Sequence, residues 1–168
     1  MRILYVKKRN LAWLGAGLLF ASLLLLVMNS SHGGPEVPAI SPIYIGNTQE
    51  KAVALMVNVD WGEDILPGML DVFQQKDVKA TFFISGRFAK EFPELVKLIG
   101  ERGHEIGNHG YSHPHPDKIS LEQNKHEISE TEKVITGFGV SLSKIFAPPY
   151  GEHKPHVLRA ASELGYKT

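Results

Sequence analysis

Five of the eight histidines fall between residues 104 and 126, and the densest stretch is GHEIGNHGYSHPHPD at 103–117. His109 and His113 stand four residues apart. Pro114 disfavours helical geometry at His113 and Gly110 loosens the turn, so the stretch is expected to be a loop that folds both imidazoles toward one point. Neutral imidazole nitrogens suit zinc and similar divalent ions. Polar loop histidines without a ligand show the same spacing, and the company they keep has to discriminate. The chain has no cysteine. That removes thiolate zinc sites, thiol nucleophiles, disulfide scaffolds and lipid-modified cysteine anchors, so any metal must be held by His, Asp or Glu.

Two neighbouring strand ends supply that company. Asn58-Val59-Asp60 leaves the first expected strand, and because side chains alternate along a strand, Asn58 and Asp60 face one side and Val59 the other. Asp60 is the candidate third ligand. Glu63 and Asp64 are reserves, although acids just ahead of a helix more commonly act as caps or dipole partners. The run IFAPPYG at 145–151 carries a rigid Pro-Pro turn and Tyr150 to the same end. The Tyr150 backbone N–H is a candidate oxyanion donor, against the alternative of a plain aromatic turn. His104, His115 and His126 are expected to be surface residues.

The elements that must position these groups alternate in type. Strands are expected at Ala52–Val59, Val78–Ile84, Glu105–Asn108 and Lys144–Ala147. Between them fall a helix from Pro67 to Lys76 with Met69, Leu70 and Phe73 inward, and one from Pro93 to Gly103 with Leu95, Val96, Leu98 and Ile99 inward. A long helix follows, capped by Ser120 with Gln123 and running to Thr136, and a last one spans His156–Leu164. Tyr166–Thr168 begin another strand. Such βα alternation builds a parallel sheet or barrel, with sites at the C-terminal ends of the strands. Four βα units and the start of a fifth strand fall short of the seven or eight of a closed barrel, so the domain is expected to be truncated at its C-terminal end.

Ahead of the domain, Leu11–Met28 is 18 residues without a charge, a helix of roughly 27 Å that matches a bilayer core. Arg2, Lys7, Lys8 and Arg9 precede it and should stay cytoplasmic, within a basic segment at 1–10. The apolar run exceeds a signal-peptide core and no A-x-A site follows, so a transmembrane anchor is expected, with the domain on the extracellular side of the cell membrane. Residues 29–51, rich in Pro, Gly and Ser, read as a linker to a domain at 52–168. The 18 basic and 18 acidic residues cancel, and past residue 9 the balance is 14 against 18. No nucleic-acid partner is expected from that charge.

GHEIGNHGYSHP, the preceding KATFFISGR at 79–87 and the later APPYG resemble the polysaccharide deacetylases with a NodB homology domain, carbohydrate esterase family 4. The resemblance covers 52–168. NVDWGED, with SPIYIGN ahead of it, is similar to the sporulation-associated, membrane-anchored branch of that family. What this implies is a distorted (β/α) barrel that removes N-acetyl groups from peptidoglycan or chitin-like polysaccharide with a divalent metal, zinc by preference. An Asp and two His hold the metal, an acid of the first motif takes a proton from water, and a later His protonates the leaving amine. His109 and His113 match the metal histidines, and Tyr150 matches the residue whose amide holds the oxyanion.

Departures from that pattern bear on chemistry. The family's first motif has two adjacent acids, base then ligand, and an ungapped alignment of Leu55–Pro67 sets Asn58 and Val59 there. An amide is no base at neutral pH, and losing a general base costs on the order of 10²- to 10⁴-fold. Ala147 stands for the Arg that orients the base, Gly110 for a Ser or Thr, and the acid-bearing His and pocket Trp would fall after Thr168. Three readings follow, of which the first two are a divergent deacetylase, active if the chain continues and Asp60 or Glu63 substitutes for the missing acids, and a pseudoenzyme that binds glycan or a cell-envelope partner. A non-functional fragment is the third.

Overall fold

The first helix is begun by a proline rather than by a side-chain cap. Pro67 sits in the opening turn of α1 (Leu66–Gln75), where its missing N–H costs nothing. Leu66 and Leu70 are buried on its inner side, with Met69 and Phe73 packed beside them. We describe a computed structural model, covering residues 41–46 and 48–168 together with Ser22. The anchor expected at 11–28 therefore lies, but for Ser22, outside the described residues. Among the described residues no helix is long and apolar enough to cross a membrane.

Three short strands, β1 (Met56–Val59), β2 (Thr81–Ile84) and β3 (Glu105–Asn108), form a parallel sheet in that order. Met56 pairs with Thr81 and Thr81 with Glu105, so the strands end level at Val59, Ile84 and Asn108. Single parallel bridges carry the sheet on, Asn108 to Phe146 and Ile145 to Lys167. The expected strands at Lys144–Ala147 and Tyr166–Thr168 are present only as these bridges. Residues 52–55 of the first expected strand are exposed and precede the paired stretch, which begins at Met56; of them Leu55 is tied to β2, its carbonyl accepting the Thr81 N–H at 2.9 Å.

Between β2 and α3 (Pro93–Glu101) lies a further short helix, α2 (Gly86–Glu91), where the sequence pattern predicts none. Ser85 caps it by accepting the Phe88 N–H at 3.3 Å. Leu95, Val96, Leu98 and Ile99 all pack inward from α3, and Gly103 just beyond it holds a left-handed φ of 74°. α4 (Leu121–Gly137) opens with a full capping box, Ser120 with Gln123. α5 (Pro155–Glu163) closes the described order of helices. The core lies between sheet and helices, where Val59, Phe82, Ile84, Phe88, Val96, Ile99 and Ile106 are at most 2% exposed. On the opposite face of the sheet no helix of the described residues packs, and Ile43 and Tyr44 lie at the edge of that face. Met56, Asn58, Phe83 and Ile145 line an open cavity there of about 520 Å³.

Candidate functional site

The site grows from Asn108, the last residue of β3, which is fully buried. Its side-chain NH₂ donates to the Ile128 carbonyl at 2.8 Å, and its carbonyl oxygen accepts the Gly110 N–H at 2.9 Å. That bond folds the chain back at Gly110, whose φ of 76° suits a residue without a Cβ. From α4, Glu127 secures the next step. It accepts the N–H of Tyr111 and Ser112 at 2.8 and 2.6 Å and the Ser112 hydroxyl at 2.8 Å.

His109, 2% exposed, is thereby fixed at the strand end. Its Nδ1–H donates to the Ala147 carbonyl at 2.6 Å, which leaves Nε2 as the nitrogen with a lone pair. Burial pushes its pKa below the ordinary histidine value, so the ring is neutral at pH 7. His113 lies 4.9 Å from it, ring centre to ring centre. The loop expected to bring the two imidazoles together does so, and it holds His113 at a φ of 56°. That left-handed geometry is strained for a residue with a Cβ.

Tyr150 is strained in the same way, with a φ of 58° in the turn after Pro149. Its ring is 61% exposed and lies 4.8 Å from His113 on one side and 4.1 Å from His115 on the other, nearly parallel to the latter. His115 is held by Glu152 at 2.9 Å, so it is not a bystander on the surface. His104 is a further correction. It is 7% exposed, accepts the Ala80 N–H at Nδ1 and packs edge-on against Phe73 and Phe82, below the sheet and away from the site. A single histidine in an amphipathic stretch carries no mark of burial, which is why sequence left it outside. His126 is exposed, as expected.

The strand end of β1 differs most from expectation. Val59 is 2% exposed and packs in the core with Leu66 and Leu70, so it points away from the histidines. Asn58 faces the open cavity. Asp60 is the acid near the imidazoles, close enough to feel the charge of His113 and to act on His109. Both its oxygens are engaged by Arg87 of α2: Nε donates to Oδ1 at 2.7 Å and a terminal nitrogen to Oδ2. Burial opposes its charge, but the hydrogen bonds from Arg87 and Ser85 and the field of His113 hold its pKa below the ordinary carboxylate value. Glu63 and Asp64 are exposed, and Glu63 lines a cleft with Asp60, Trp61 and Arg87.

The donor set does not fit the expected three-ligand metal site. Among the described residues no group of three or more His, Asp or Glu side chains is placed to hold a metal ion. Asp60, His109 and His113 share one end of the sheet, yet the carboxylate is turned to a guanidinium.

Residues 45–168 match the polysaccharide deacetylase family. The chain belongs to that family. It is similar to the uncharacterised protein YlxY of Bacillus subtilis, 40% identical over 123 residues, 73% of this chain and 38% of that protein. It is 36% identical over 123 residues to a peptidoglycan-N-acetylglucosamine deacetylase of Bacillus cereus, 73% of this chain and 45% of that protein. The chain thus spans less than half the length of these relatives. Among solved structures, BA3943, a carbohydrate esterase family 4 pseudoenzyme of Bacillus anthracis, superposes with a TM-score of 0.73 at 35% identity, over 77% of this chain and 46% of that one. A mutant of BA3943 with restored enzymatic activity matches with the same TM-score at 32% identity, over 77% of this chain and 47% of that one. The NodB-type α/β fold expected from the motifs is the fold of the family.

Proposed function

We propose that this deacetylase-like protein binds an N-acetylated polysaccharide such as peptidoglycan at its strand-end site without hydrolysing it, tethered to the outer face of the cell membrane by residues 11–28. The observation that carries the reading is the incomplete ligand set beside an intact histidine pair. Val59 is buried in the core and Asn58 lines the open cavity, which supports reading Asp60 and the exposed Trp61 as the adjacent pair at the end of β1 in place of Asn58 and Val59. An acid then stands where the resemblance puts the base, and an indole where it puts the ligand. A divalent ion such as zinc would have His109 and His113 alone and be held weakly.

Glycan binding is supported by the exposed ring of Trp61 at this end, 77% open to solvent. Such a ring offers an apolar face that a sugar ring covers. The relative from B. cereus acts on peptidoglycan, which lies outside the membrane, in keeping with the basic residues ahead of the anchor. Placement in the sporulation-associated branch rests on NVDWGED and SPIYIGN.

The test uses the full chain with Trp13→Phe, so that Trp61 is the remaining tryptophan. Insoluble peptidoglycan should sediment the protein, and soluble N-acetylated fragments should change Trp61 fluorescence saturably, with acetate release no faster than without protein. Acetate release that vanishes in His109→Ala would establish hydrolysis instead. The second reading, a working deacetylase with Asp60 as base, is favoured by the paired imidazoles and by the B. cereus relative.

A further inference from the structure

The Arg87–Asp60 pair belongs to neither the sheet nor the histidine loop, and its geometry is specific. Arg87 is the second residue of α2, and two backbone bonds fix that turn to the histidine loop: Gly86 N–H donates to the Gly110 carbonyl and Arg87 N–H to the Tyr111 carbonyl, each at 2.9 Å. The guanidinium is half exposed while the Asp60 side chain is 11% exposed, so solvent can hydrate the cation more easily than the acid. Planar guanidinium on planar carboxylate satisfies both oxygens at once, a match that an ammonium or an amide does not reproduce. The element that brings the cation is tied to the loop that brings the imidazoles.

We infer that Arg87 withholds Asp60 from metal coordination, so that the positive charge beside this carboxylate is the protein's own guanidinium and an ion at His109 and His113 gains no third protein ligand. The cation reaches the acid from α2, across 27 positions of the chain. A carboxylate can turn to an ion only by giving up at least one of two charge-assisted bonds, and losing half of a bidentate pair leaves a part-buried cation–anion contact poorly satisfied. The inference holds whether or not the face binds glycan, because it concerns only which partner Asp60 takes.

A zinc titration of the full chain, followed by calorimetry, tests it through a double-mutant cycle of Arg87→Gln and Asp60→Asn. In the native background Asp60→Asn should leave zinc affinity within about twofold, while His109→Ala abolishes binding. Arg87→Gln should tighten zinc by at least about tenfold, and Asp60→Asn in that background should remove the gain. Arg87→Lys, which keeps a charge without the fork, should fall between. Far-UV circular dichroism and the urea midpoint confirm that each variant is folded. An Asp60→Asn change that weakens zinc in the native background overturns the inference, as does an Arg87→Gln or Arg87→Lys series with unchanged affinity. Loss of glycan binding with an intact zinc cycle would count against the proposed function alone.

Discussion

Val59 and Asn58 are neighbours in sequence with opposite surroundings, and that difference decides what an acid would do at each. Val59 is 2% exposed among Leu66, Leu70 and Ile84. A carboxylate there would lose its hydration with no partner in reach, so Val59→Asp should destabilise the fold by about 3 kcal/mol or more. Asn58 opens onto the cavity, and Asn58→Asp should move the urea midpoint hardly at all. It sits one pleat short of Asp60, roughly 7 Å along the strand, and should leave zinc affinity unchanged. Urea melts and a zinc titration of the two variants separate these outcomes; a stable Val59→Asp protein with tighter zinc would restore the alignment that sets the two acids at 58 and 59. Trp61→Asp is the change that should add a ligand, because Trp61 is the exposed residue next to Asp60 at the strand end.

At the scale of elements, the short helix α2 holds the site to the core. A Cβ at Gly86 would run into the ring of Tyr111 and touch the Thr131 hydroxyl at 3.0 Å. Gly86→Ala should therefore cost about 1–3 kcal/mol in a thermal melt and displace Arg87 from Asp60, so that zinc affinity moves in the direction of Arg87→Gln. A melt unchanged by the methyl group would show that this packing is loose. Ser120→Ala, which removes a cap far from Arg87, should cost about 1 kcal/mol and leave zinc untouched. The helices with a proline start, a capping box or a glycine end were legible in the sequence, since each signal is a backbone requirement written in one residue. His109 and His113 converge as their loop predicts, because Gly110 and Pro114 constrain the turn locally. What stayed illegible depends on distant contacts. α2 has six residues and no periodicity to read, and Arg87 meets Asp60 across 27 positions. Strand length failed for the same reason: residues 52–55 have the right composition, but pairing is a property of the neighbour.

For the whole molecule, two buried neutral histidines make stability depend on pH in a window that the acids do not share. Burial, aided by Lys79 and Arg102, lowers the pKa of His104 from its ordinary 6.5, and burial likewise lowers that of His109. The unfolded chain, with ordinary histidines, takes up protons as pH falls through 6.5 while the folded protein refuses them. Unfolding then binds protons, so stability is complete above about pH 6.5 and falls below it, by at most about 1.4 kcal/mol per pH unit for each histidine. Asp60 has the opposite kind of group and a separate window. Its folded pKa is lowered from 3.8, so its contribution persists down to about pH 4 and is lost only beneath that. Between pH 7.5 and 5.5 the change therefore reports the histidines. With a chelator present to exclude metal, the urea midpoint should drop over that interval, and His104→Asn, whose carbonyl can still accept the Ala80 N–H, should flatten the drop. A midpoint that holds steady or rises toward pH 5.5 would mean that these rings accept protons in the folded state, and with that His109 would lose the neutral Nε2 on which any metal contact at this site depends.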